Sequence, residues 1–231
     1  MKDFKFECTT NRLGVRIWAE VKDFRKLYKL VSDSYPLLDG MTPAEQSSYL
    51  GVITAFAYDL RHTYMGSRLV SGEGKTDDDD PDDESRIVGV EFSWVDAFFY
   101  MAAWKECLMH HSCPSGVLPL MRKIQKGMES VLKKASKTYA SELLPYLHGA
   151  IYAANPYLIQ SMEYVILKSF DSSYSTKATL KELSSVMPCT SYGTEAYKRQ
   201  MDFLKSEAER LNLPIEELSY DTGDAINDLE L

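Results

Sequence analysis

Apolar and polar side chains alternate over residues 3–9, where Phe4, Phe6 and Cys8 share a face, and again over 14–20, where Val15, Ile17 and Ala19 do. Thr10-Asn11-Arg12-Leu13-Gly14 between them is rich in turn formers, so the pattern predicts an amino-terminal β-hairpin. The period then changes. Val21, Phe24, Leu27, Tyr28 and Val31 recur at helical spacing over 21–33, and Pro36 ends that element. Thr42-Pro43-Ala44-Glu45 combines a capping hydroxyl, a proline at the first helical position and a glutamate able to return a hydrogen bond. A helix is expected from 43 to about 65, with Tyr49, Ile53, Phe56, Leu60 and Tyr64 on one stripe and Gly66 as its stop.

β-Branched residues over 86–92 read as a strand, and 68–72 reads as its partner arm across a polar stretch. Ser93 with Asp96 three positions on can cap the next helix, expected over 94–110. Its first part, WVDAFFYMAAW at 94–104, holds one charged side chain, and a helix apolar nearly all round belongs in a core. Over 117–138, Val117, Leu120, Ile124, Met128, Val131 and Leu132 form a stripe opposite a basic face. Further helices are expected at 140–154, 156–170, 177–186 and, after Thr194, 195–211. The fold class is therefore α+β and mainly helical, with a small antiparallel sheet covered by a helical layer.

Composition bounds this picture. A chain of 231 residues that is 45% hydrophobic can bury a sizeable core, and one α+β domain over 1–213 is expected, with a sheet-forming half at 1–114 and a helical half at 115–213. The amino terminus lacks an apolar leader segment, and no uncharged run reaches the roughly 18 residues of a membrane span. A cytoplasmic protein without membrane association is the expectation. Cys8, Cys107, Cys113 and Cys189 are too sparse and irregular for a disulfide framework, which fits reduced thiols.

Charge is segregated along the chain. Residues 73–84, EGKTDDDDPDDE, hold eight carboxylates and Lys75, a net −7, and read as an acidic solvated loop. Residues 214–231 hold six more without a lysine or arginine, an acidic tail with Ile215, Leu218, Tyr220, Ile226, Leu229 and Leu231 interspersed. Because the whole chain is only −8, the rest carries +5, so a mildly basic body bears two acidic segments. Such a tail resembles recognition segments that fold against a partner groove, which points to a protein partner or a homo-oligomer. The basic face of 117–138, with Arg122, Lys123, Lys126, Lys133, Lys134 and Lys137 offset only by Glu129, offers a second partner class, nucleic acid bound through its phosphates.

Two groups of side chains carry candidate chemistry. Cys107, His110, His111 and Cys113 include thiol and imidazole donors one helical turn apart, which zinc accepts in a tetrahedron. Their spacing is not a standard zinc pattern, and buried thiols beside a helix-end histidine pair are the plainer reading. Asp59 and His62, one turn apart and flanked by Arg61 and Tyr64, suit general acid or base work by the imidazole, with the carboxylate orienting it. The plainer alternative is a hydrogen-bond network at a helix end. No nucleophile elbow, glycine-rich phosphate loop or His-Glu-x-x-His occurs. The expectation is an interaction or regulatory protein without catalytic activity or required cofactor. A metal protein or enzyme built on these two groups is the rival, and nucleic-acid binding is the third possibility.

Overall fold

Strands β1 (Lys5–Cys8) and β2 (Gly14–Glu20) form the expected antiparallel hairpin, with Phe6 opposite Ile17. Asn11 builds its turn: the side-chain oxygen accepts from Leu13 N at 2.9 Å and from the Thr9 hydroxyl at 3.1 Å. This local ring of bonds holds Arg12 at φ 62°, a left-handed conformation in which asparagine or glycine is commoner. The computed structural model describes residues 4–34, 43–70, 83–109, 116–170 and 175–220. The proposed cap at Thr42, the Tyr49 side chain, most of the acidic run, His110, His111, Cys113 and residues 221–231 lie outside the described residues.

Two more strands, β3 (Leu69–Val70) and β4 (Ile87–Ser93), are the arms flanking the acidic run, and they pair antiparallel with Leu69 opposite Gly89. β4 also pairs along its whole length with β2, giving an open antiparallel sheet of order β1-β2-β4-β3. Val15, Ile17 and Ala19 of β2 and Val88, Val90 and Phe92 of β4 are buried, so alternation delivers one apolar face to the helices.

Helix α1 (Val21–Ser32) follows β2 directly, and α2 (Pro43–Tyr64) packs beside it. Helix α3 (Trp94–Met109) is the central rod: Trp94, Phe98, Phe99, Met101, Ala103 and Trp104 are each 0% exposed. Its start is the capping box expected from sequence. Asp96 N donates to Ser93 Oγ at 3.1 Å while Ser93 N and Oγ donate to the Asp96 carboxylate at 3.1 and 2.7 Å. Burying each large apolar side chain of α3 contributes about 1.5–3 kcal/mol, which makes this helix the principal anchor of the core.

The second half supplies α4 (Val117–Ala135), α5 (Ala140–Leu147), α6 (Leu158–Ser169), α7 (Thr176–Val186) and α8 (Glu195–Leu211). Helix α5 is shorter than its apolar pattern suggests because the chain turns at His148 and Gly149, whose φ is 99°. One continuous core joins side chains of the sheet, α1 to α7 and the α7–α8 connection. A smaller cluster of Leu204, Ala208 and Leu218 packs residues 214–220 onto α8. There Gln160 of α6 donates to the carbonyls of Glu216 at 3.0 Å and Leu218 at 3.3 Å.

Candidate functional site

Asp59 sits on α2 facing α3. One carboxylate oxygen accepts from Arg68 at 2.5 Å and the other from the Tyr100 hydroxyl at 3.0 Å. Burial pushes the Asp59 pKa up, and Arg68, the Tyr100 hydrogen bond and the His62 charge pull against it. Burial, then the charges of Asp96 and Asp59, holds the Tyr100 phenol well above its usual range. Asp96 keeps some exposed surface, but its carboxyl is enclosed, and burial raises its pKa to about 6 against the opposing bonds from Ser93. The three groups thus form a partly buried polar row that ties the end of α2, the approach to β3 and the start of α3 together.

His62 lies outside this row. Its ring centroid is 4.1 Å from that of Tyr58, over which Arg61 also lies at 5.7 Å. Asp59 directs its oxygens to Arg68 and Tyr100, so it is placed to cross-link helices, and its influence on His62 is electrostatic.

Cys107 is 1% exposed on the core side of α3, while its proposed co-ligands His110, His111 and Cys113 lie outside the described residues. Among the described residues, no group of three or more His, Cys, Asp and Glu side chains is placed to hold a metal ion. Burial raises the thiol pKa of Cys8, and that of Cys189 to about 12, so both stay protonated at neutral pH. His148 faces Glu129 at 3.3 Å.

The described surface also carries a groove between α1 and α2, about 580 Å³ in volume. Tyr28 and Tyr64 form its floor, edge to face at 5.5 Å between centroids, and Arg25 lies 5.6 Å from the Tyr64 ring. Lys22, Arg25, Lys26 and Lys29 rim it, against Asp33 and Glu84. Lys22 pairs with Glu20 at 2.5 Å and Arg25 with Glu84 at 2.8 Å, whereas Lys26 and Lys29 have no ion-pair partner among the described residues. The sequence signal for this face is a basic stripe at 22, 25, 26 and 29, one helical side opposite the apolar positions 24, 27 and 31. Neither this groove nor the cleft at the β1–β2 turn, described below, is lined by Asp59, His62 or Cys107.

The basic face of 117–138 is also found on the outside of the fold. Its apolar stripe is buried, Arg122, Lys126, Lys133 and Lys134 are exposed on α4, and Lys133 pairs with Glu129 at 2.5 Å. Lys137 lies beyond the helix end, in the turn to α5.

These features define a mainly helical α+β protein with an open four-stranded antiparallel sheet; among the described residues no helix is long and apolar enough to cross a membrane. Residues 4–230 match the family DUF6904, a domain of unknown function, and the chain belongs to that family. No curated protein and no solved structure matches it.

Proposed function

We propose that this is a non-catalytic, cytoplasmic interaction protein that self-associates, the α1–α2 groove of one copy receiving the acidic carboxyl-terminal stretch of another. The observation that carries the proposal is the groove itself: a tyrosine floor bordered by two lysines without ion-pair partners among the described residues. An apolar floor with a cationic rim suits a segment that carries both carboxylates and spaced apolar side chains. Residues 221–231 have that composition, with Asp221, Asp224, Asp228 and Glu230 interleaved with Ile226, Leu229 and Leu231. The acidic run at 73–84 has the charge but, apart from Pro81, no apolar side chain to fill the floor.

The described chain ends bound to α6, where Tyr220 N donates to Glu163 at 3.1 Å. Residues 221–231 span at most about 36–40 Å when extended. Each copy would offer one groove and one tail, so a reciprocal exchange closes as a two-fold dimer. The placement of Cys107 in the core, and of Asp59 on Arg68 and Tyr100, is compatible with such a role because it needs neither group in a cleft.

A fluorescently labelled peptide of residues 221–231 tests the contact by anisotropy. Binding should saturate at low salt and weaken about tenfold or more in the double variant Lys26→Glu/Lys29→Glu, whose fold is checked by circular dichroism. Absence of saturation, or equal binding by the folded double variant, would remove the groove as the contact.

A further inference from the structure

A second cleft, about 470 Å³, opens where the β1–β2 turn, the α4–α5 turn and the start of α7 meet. Asn11, Ser136, Tyr139 and Thr176 give it amide and hydroxyl groups, Arg12 and Lys177 give it charge, and among the described residues no carboxylate lines it. Arg12 and Lys177 face it from different elements. Lys134 lies close enough to Arg12 that both act on the Cys8 thiol, and Lys137 belongs to the α4–α5 turn. None of these four cations has an ion-pair partner among the described residues, although Lys133 nearby is paired with Glu129. Cations at 133 and 134 follow from the end of α4, where helix polarity favours positive charge. Lys177 does not: it sits in the first turn of α7, where positive charge is disfavoured and which itself holds no acidic residue.

The cleft is also held in shape without a ligand. Thr176 donates to the Asn11 carbonyl at 2.9 Å, and the Trp94 indole donates to the Arg12 carbonyl at 3.0 Å. Ser175 caps α7 by accepting from Ala178 N at 3.3 Å, and the charge that lines the cleft is carried by side chains. Exposed cations beside a cleft whose described lining holds no carboxylate are complementary to a multiply charged anion. A guanidinium binds two phosphate oxygens at once, and hydroxyl groups supply the remaining donors. The volume exceeds that of a bare phosphate and falls within the range of small-molecule sites, while Leu180 and Ala135 add apolar surface.

We infer that this cleft binds a small organic molecule bearing a phosphate or diphosphate group, held by Arg12 and Lys177, with Lys134 and Lys137 adding to the local field. The probe is inorganic pyrophosphate, titrated calorimetrically into the intact chain at about 0.15 M ionic strength, where unspecific attraction is screened beyond about 8 Å. Saturable binding is expected, weakened about ten- to hundredfold by Arg12→Gln and separately by Lys177→Gln, and unchanged by Lys205→Gln on α8. Unliganded melting temperatures of the two cleft variants should not fall below the parent's, because neither side chain is in an ion pair among the described residues and Lys177→Gln removes a cation from a helix start. Lack of saturation, or the same loss in Lys205→Gln, would overturn the site. So would a single-stranded oligonucleotide that binds more tightly than pyrophosphate and loses affinity in Lys126→Gln/Lys133→Gln/Lys137→Gln, since that result assigns the surface to a nucleic-acid backbone.

Discussion

Asp96 performs two tasks with opposite electrostatic demands. As the returning member of the capping box it accepts from Ser93, and as an enclosed carboxyl near Asp59 it resists ionisation. Its pKa of about 6 in the folded chain lies above the ordinary value of 3.8, so the folded state holds a proton that the unfolded state releases at lower pH. The stability associated with that proton is complete below about pH 4 and is lost as pH rises through about 6, up to roughly 3 kcal/mol. Asp96→Asn keeps a cap acceptor but cannot ionise. Urea unfolding at pH 4 and pH 7 should therefore show the parent losing stability relative to the variant between those values; a constant difference would show that Asp96 does not titrate there. The Ser93–Asp96 pair was legible in the sequence because its partners are three residues apart. The partners of Asp59 were not legible for the opposite reason: Arg68 and Tyr100 reach it from 9 and 41 positions away, and only the packing of α2 on α3 makes them neighbours.

At the scale of elements, local period and end signals placed every described α-helix, because each rests on residues within a few turns of one another, whereas the short 3-10 turns at Met187–Thr190 and Ile215–Glu217 were not foreseen. Strand order was less accessible. Alternation identifies β2 and β-branched content identifies β4, but their pairing joins Gly14–Glu20 to residues 67 to 79 positions on, and it is settled by the shared core on α3. The packing of β1 on α4 is equally long-range and turns on Gly127. A Cβ there would lie 2.3 Å from the Phe6 ring, so the helix uses glycine to let the strand approach. In an exposed helix interior, Gly→Ala gains about 1 kcal/mol. Here Gly127→Ala should instead cost about 1–3 kcal/mol in urea unfolding, and the cost should shrink or change sign in the background of Phe6→Ala. A stabilised Gly127→Ala single variant would contradict the proposed contact.

For the molecule as a whole, the informative property is the separation of a +5 body from segments of −7 and −6, visible directly in the sequence. The sequence did not reveal which basic surface is concave. Lys22, Arg25, Lys26 and Lys29 read as an ordinary solvated helix face until α2 brings Tyr64 beside Tyr28 to form a floor, and Arg12 and Lys177 are 165 positions apart. The proposed self-association through the α1–α2 groove should depend on salt, because its cationic rim is exposed. Sedimentation velocity on the intact 26.3 kDa chain tests it most directly. The account predicts a dimer at about 0.05 M salt that dissociates at about 0.5 M, and a Lys26→Glu/Lys29→Glu variant that is monomeric at both. A monomer under every condition, or a dimer indifferent to salt and to the substitutions, would contradict it.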